Sequence, residues 1–251
     1  MRVLLTLKSL KDCAYDKAYY HKLRGFFYNL QQGSKYFNKH NNEGYKFYSF
    51  SNIFPAIDVH TGDKRSLIVS SPDNDFIHWL YRKIAAIKES QTPLNIGEAQ
   101  FEIQKLNFLS PEIRTKAKLI TGTPIIMRIP KEKYSSYEIK SIRPYEFWRP
   151  EHDFNAFING LNGNLNKKYE QFYGKETETS NIFEEFTFKK SVCVHRIEKG
   201  KEQRTIGSLW EFEFSHLNNE QRKMLWLGLE SGFGELNSSG FGFMNIARSL
   251  N

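Results

Sequence analysis

The sequence predicts an α+β chain made of two halves that share one β-α-β-β-α-β order. Three observations carry this reading. Alternating and aromatic-rich runs surround two amphipathic helices in residues 1–115. The same succession recurs over residues 116–251. Finally, a weak boundary falls between them, near Ser110–Lys118. The order is that of the ferredoxin-like motif, so tandem ferredoxin-like domains, 1–115 and 116–251, are expected. The repeat is one of architecture, since the halves share no visible sequence self-similarity.

Residues 2–8 alternate Val3, Leu5 and Leu7 with Arg2, Leu4, Thr6 and Lys8, which predicts a strand. Over 16–32, Tyr19, Leu23, Phe26, Phe27 and Leu30 fall on one helical face, with Asp16 as cap and Gly33 as stop. A polar loop follows at 34–44. The aromatic run 45–54 and the run 65–70 read as the second and third strands. Asp73 can cap a helix through about Lys88, and 98–108 completes the half. In the second half, a strand begins in 116–129 and a helix spans 151–173, with Phe154, Phe157, Ile158, Leu161 and Leu165 aligned. Residues 182–197 and 203–214 form a hairpin around Glu198-Lys199-Gly200-Lys201. Asn218 caps a helix to 230, with Leu217 as its staple, and 241–248 is the last strand.

Composition bounds the partners. The chain has 251 residues, 36 Lys and Arg against 28 Asp and Glu, and a net charge of +8. Such an excess favours a polyanion, most often nucleic acid. A mean hydropathy of -0.58 excludes an integral membrane protein, and no apolar run nears the ~20 residues of a span. The opening residues read as a strand and not as a signal peptide. Cys13 and Cys193 stand alone, with no metal-ligand spacing, so no metal and no cofactor are expected and a reducing, cytoplasmic setting fits.

The most informative stretch is Gly232-Phe233-Gly234-Glu235-Leu236-Asn237-Ser238-Ser239-Gly240-Phe241-Gly242. Two glycine-aromatic-glycine triplets flank five mostly polar residues. Glycine permits positive φ and close approach of the backbone, and successive N–H groups in such a turn can cradle an anion. The Gly-Lys-Ser/Thr ending of a Walker loop is missing, and the stretch follows a helix where a dinucleotide loop follows a strand.

The doubled triplet resembles the C-terminal glycine-rich loop of the RAMP superfamily and, within it, the CRISPR repeat-processing endoribonucleases. Their pattern is Gly-hydrophobic-Gly, five variable residues, Gly-hydrophobic-Gly, and every fixed position matches. The helix from Phe154 to Tyr173 looks like the family's Phe…Asn-Leu…Lys-Tyr helix. Leu23-Arg24-Gly25-Phe26-Phe27-Tyr28-Asn29, followed by Phe47-Tyr48-Ser49-Phe50-Ser51-Asn52, adds a third likeness. Together they span nearly the whole chain.

The resemblance implies a metal-independent endoribonuclease that cuts within CRISPR repeat RNA. The ribose 2′-OH would attack the adjacent phosphorus, leaving a 2′,3′-cyclic phosphate and a 5′-OH. Histidine, with an ordinary pKa near 6.5, can serve as acid or base in such a step, and a lysine can stabilise the extra negative charge. His40 lies in the polar stretch Asn38–Gly44, with no apolar periodicity to bury it. Its place between first helix and second strand matches the family's usual catalytic histidine. Tyr28 lies off the first helix's apolar face, on a stripe with Lys17, His21, Arg24 and Gln32; the family often positions the 2′-OH with a tyrosine there. Lys46 opens the second strand, six residues after His40, and the family often has a lysine there. Which of Tyr28, His40 and Lys46 acts as base and which as acid stays open.

RNA binding is expected at Gly232, Gly234, Gly240 and Gly242, and at Lys189, Lys190, Arg196, Lys199, Lys201 and Arg204 around the hairpin. Arg24 beside Tyr28 joins them. Tyr45 and Tyr48 are candidates for stacking on unpaired bases. The partners implied are the repeat RNA and its crRNA product, an interference complex that receives the guide, and a homodimer. The rival reading is a non-cleaving RAMP subunit that binds guide RNA structurally and needs no His40–Lys46 pair.

Overall fold

A computed structural model describes residues 1–16, 19–37, 44–177, 181–198 and 201–247, the side chains of 196–198 and 201 excepted. In the first sheet, β1 (Arg2–Ser9) is central, because Val3, Leu5 and Leu7 bury one of its faces completely. It pairs antiparallel with β3 (Lys64–Ser70), Leu5 opposite Leu67, and with β5 (Ala99–Leu109), Leu5 opposite Leu106. β2 (Ser49–Phe50) lies outside β3, and β4 (Leu94–Ile96) outside β5. The order β2-β3-β1-β5-β4 is the ferredoxin-like order with one added edge strand.

Helix α1 (Tyr19–Gln31) buries Tyr19, Tyr20, Leu23, Phe27 and Gln31, and Gly33 follows it at φ 72°. Helix α2 (Asn74–Glu89) starts where Asp73 accepts from the Phe76 amide, and it buries Phe76, Ile77, Leu80 and Ile84. Each such side chain contributes about 1.5–3 kcal/mol of transfer free energy.

The second sheet has the order β11-β6-β10-β9, again ferredoxin-like. Its strands are β6 (Ala117–Thr121), β9 (Glu185–Glu198), β10 (Lys201–Phe214) and β11 (Met244–Ile246). Helix α3 (Phe154–Tyr173) is capped by Asp153, and α4 (Asn219–Ser231) by a full capping box between Asn218 and Gln221. Leu217, the expected staple, is 1% exposed. No described helix is long and apolar enough to cross a membrane.

The structure corrects one expectation and narrows two others. The run 45–54 is a strand only at Ser49–Phe50, because Phe47 takes φ 51° and ends the extended backbone before it. Lys46 therefore lies in a loop and does not open a strand. The strand expected to begin in 116–129 runs from Ala117 to Thr121, and Arg128–Pro130 (β7) pairs separately with Tyr145–Phe147 (β8) as a ribbon. The last strand is Met244–Ile246, within the expected 241–248.

The two cores interlock. Ile126, Val194 and Phe241, all from the second half, are buried in the first core. Across the same two halves, Arg2 Nε lies 3.3 Å from Glu230 Oε1, with both side chains nearly or fully buried. Arg2 also donates to the Leu229 carbonyl at 2.8 Å.

Candidate nucleic-acid interface

Helix α4 runs into the glycine stretch, where Gly232, Gly234, Gly240 and Gly242 all take positive φ. A Cβ on Gly242 would overlap the Phe233 carbonyl oxygen, and one on Gly240 would lie 2.8 Å from Phe50 and 2.9 Å from Tyr20. Only glycine allows the chain to fold this tightly against both halves. Phe233 and Phe241 are fully buried, but in different cores: Phe233 in the second and Phe241 in the first. The two triplets thus pin one half to the other.

Most of the glycine stretch is turned inward. The Phe233 amide donates to Gly242 O, Glu235 to Ile126 O, Gly240 to Asn237 O and Gly242 to Pro124 O, at 2.8–2.9 Å. These donors are committed within the protein, which corrects the expectation of an open anion nest at those positions. The four glycines are buried, while Glu235, Leu236 and Ser238 form the part-exposed edge.

Two side chains fix this shape. Lys168 Nζ donates to Gly232 O (2.7 Å), Gly234 O (2.9 Å) and Asn237 Oδ1 (2.8 Å). Asn237 Nδ2 then donates to Phe233 O and Phe241 O, each at 3.0 Å. Burial pulls the Lys168 pKa down to about 7, and Glu235 nearby opposes this. The three acceptors oppose it as well, because an ammonium has three N–H donors to offer them. Sequence reasoning missed Lys168. Its signal was placement: it continues the Leu161, Leu165 stripe at i+7, on the face that packs inward.

The inward-turned loop walls a cleft of about 660 Å³ between the halves. Tyr45, Lys46 and Phe47 line it from the first half; Asn164, Lys167 and Arg128 are among those facing them from the second. Lys46 is half-buried, and burial draws its pKa below the ordinary lysine value. The Arg128 guanidinium pairs with Glu235 and lies 5.0 Å over the Tyr145 ring. The cleft thus carries cations, aromatic faces and one acidic wall.

Of the two proposed catalytic residues among the described ones, Lys46 lines this cleft. Tyr28 is half-buried on α1, its ring 5.0 Å from Phe37, and is not among the described lining residues. His40 lies outside the described residues. Arg24 is half-buried on the Tyr28 stripe. Its charge eases back the Tyr48 phenol, which burial raises to about 12. Tyr48 is 3% exposed and its hydroxyl accepts from Gln31 at 3.3 Å, so it is a core residue and no open stacking platform. Tyr45 remains on the cleft wall.

On the hairpin, Lys189 and Lys190 are exposed on β9, and Arg204 is exposed on β10. Lys189 is the extra residue of a bulge, since Phe188 pairs with Trp210 and Lys190 with Leu209, and its Nζ lies 2.9 Å from Glu211. Arg196 and Lys201 lie on the paired backbone, and Lys199 lies outside the described residues.

Residues 108–246 match the family model described as CRISPR associated protein Cas6, C-terminal. The chain belongs to the Cas6 family. It is 32% identical over 252 residues to the CRISPR-associated endoribonuclease Cas6 2 of Methanocaldococcus jannaschii, covering 98% of this chain and 99% of that one. It is 30% identical over 256 residues to the CRISPR-associated endoribonuclease Cas6 of Haloferax mediterranei, covering 98% and 93%. Among solved structures, a CRISPR associated protein Cas6 superposes with a TM-score of 0.70 at 24% identity, covering 99% of both chains. An RAMP protein binding different RNA substrates does so at 0.69 with 18% identity, covering 99% of this chain and 100% of that one. These likenesses show the Cas6 fold, and the family to which the chain belongs is one of endoribonucleases.

Proposed function

We propose that the chain cuts CRISPR repeat RNA to release guide RNAs, and that the cut is made beside the interdomain cleft. The observation that carries this reading is Lys46, held half-buried on the wall of a cleft that also presents Arg128, Lys167 and Tyr45. The ribose 2′-oxygen bonds to phosphorus as the bond from phosphorus to the 5′-oxygen breaks. One proton leaves the 2′-OH and another reaches the departing 5′-oxygen. The products are a 2′,3′-cyclic phosphate and a 5′-OH, and no metal is required. His40 takes part in these proton transfers, Tyr28 orients the 2′-OH, and the Lys46 ammonium stabilises the pentavalent phosphate.

The glycines 232, 234, 240 and 242 serve RNA binding through the shape they impose on the cleft wall. Lys189, Lys190, Arg196, Lys199, Lys201 and Arg24 supply phosphate contacts, which position the strand without reading its sequence. This reading takes 1–115 and 116–251 as the two working domains and places the enzyme in the cytoplasm. An interference complex that receives the guide and a second copy of the chain are its further partners.

The test is cleavage of the locus's own repeat RNA in EDTA, beside the same RNA with a 2′-deoxy at the cut nucleotide and beside His40→Ala enzyme. The reading expects one cut, abolished by the deoxy substitution and strongly slowed by His40→Ala. Tight binding without a cut would make the chain a non-cleaving RNA-binding subunit.

A further inference from the structure

The segment that carries Lys46 is gripped from the opposite half of the molecule. Gly44, at φ 105°, and Phe47, at φ 51°, bracket Tyr45 and Lys46. A bulky residue such as Phe47 occupies the left-handed region only where its surroundings hold it there. Ser71 Oγ donates to the Phe47 carbonyl at 2.6 Å from within the first half. Further contacts come from α3. Gln171 Oε1 accepts the Tyr45 amide at 3.3 Å. Asn164 Nδ2 donates to the Tyr45 hydroxyl at 3.3 Å. Lys168 Nζ lies 5.5 Å from the Tyr45 ring centroid, and the Phe172 ring lies 5.2 Å from that of Phe47.

Asn164, Lys168, Gln171 and Phe172 stand at i, i+4, i+7 and i+8, which is one helix face. The face has two tasks. Through Lys168 it fixes the glycine stretch, and through its neighbours it fixes the backbone on either side of Lys46. A lysine ammonium sits at the end of a flexible four-carbon stem. Its position is set only if the backbone from which it starts is set.

We propose that this face of α3 is a positioning device for Lys46, with Gln171 and Asn164 as its positioning residues, so that the second domain aims a catalytic group carried by the first. The proposal rests on the reading of Lys46 as the phosphate-stabilising group. It also gives the interdomain contact a task besides stability: a shift of the two halves moves the ammonium relative to the scissile phosphate.

Gln171 is the residue to change. It is exposed on a helix, so alanine there should leave the fold intact, and among the described residues it does not line the cleft. Single-turnover cleavage of the repeat RNA is measured for wild type, Gln171→Ala, Lys46→Ala and the double variant. Affinity for the 2′-deoxy RNA is measured in parallel. Gln171→Ala is expected to slow the cut on the order of tenfold, less than the roughly hundredfold that a 1 Å displacement of a reacting group can cost. Affinity for the deoxy RNA should stay within about twofold of wild type, since Gln171 holds the chain and not the ligand. In the Lys46→Ala background the same change should slow the cut no further.

A Gln171→Ala enzyme that cuts at the wild-type rate overturns the proposal while leaving the Lys46 reading in place. So does one whose loss multiplies fully with that of Lys46→Ala, or whose defect lies in affinity. A Lys46→Ala enzyme that cuts at the wild-type rate overturns the catalytic reading of Lys46 itself, and the proposal with it.

Discussion

The Tyr20 ring lies flat against the Phe241 ring, centroids 4.6 Å apart and planes 6° from parallel. One ring belongs to α1 of the first sheet's layer and the other to the second glycine triplet. The pair shows why the triplet needs an aromatic residue at its centre. The glycines let the backbone come close, and the ring between them enters the neighbouring core.

Phe241→Ala should therefore destabilise the chain by about 3–5 kcal/mol, the range for emptying a fully buried phenylalanine site. Tyr20→Phe keeps the stacked face and should cost far less. Urea denaturation of both variants checks this.

Lys168→Met should cost about 3 kcal/mol, because it leaves three buried acceptors, the Gly232 and Gly234 carbonyls and Asn237 Oδ1, without their donor. The wild type also gains a pH signature. With the folded pKa drawn down to about 7, the unfolded chain binds more protons than the folded one between that value and the ordinary lysine pKa near 10.4. Stability supplied by this group is full above the upper value and is lost as pH falls toward the lower. Denaturation of wild type and Lys168→Met at several pH values should give a difference in slope of at most about 1.4 kcal/mol per pH unit.

Lys46→Ala should slow cleavage by roughly a hundredfold at neutral pH, the scale of losing one preorganised charge-stabilising donor, with little loss of affinity. Burial lowers the Lys46 pKa, so its ammonium is lost at a lower pH than that of an exposed lysine. The rate advantage of wild type over Lys46→Ala should shrink as pH rises and should do so before the ordinary lysine pKa is reached. Single-turnover rates across an alkaline pH series measure this.

Lys189 and Lys190 are adjacent but not equivalent. Lys189 is already paired with Glu211, so its charge is partly neutralised before RNA arrives. Lys190→Ala should lower the slope of log affinity against log salt by about 0.7 on single-stranded RNA, and Lys189→Ala by clearly less. Binding titrations at several salt concentrations separate the two.

Much of this architecture is legible in local sequence because local rules decide it. The Asp73 cap, the Asn218–Gln221 box and the alternation of β1 act over three or four residues. What is not legible depends on contacts distant in sequence. Phe47 has strong strand propensity, yet Ser71 and Phe172 hold it in a left-handed conformation, and β2 shrinks to two residues. The β7–β8 ribbon exists because Arg128 and Phe147 meet across a long excursion. Lys168 stands on the inward stripe of its helix, but its task shows only when its three acceptors, some 64–69 residues away, are placed around it. The glycine stretch shows the same limit. Its pattern points to a special backbone, but only the folded chain shows that amides such as those of Phe233, Glu235, Gly240 and Gly242 are bonded within the protein.

β9 has a further consequence. It is the outermost strand of its sheet and 14 residues long. A long edge with open backbone groups is a template for pairing with another chain. The bulge at Lys189 breaks the regular spacing of that edge, and the lysine after it keeps a charge beside the break. The two residues proposed to meet phosphate thus also discourage sheet-to-sheet aggregation, so neutralising both should lower solubility even in variants that fold normally.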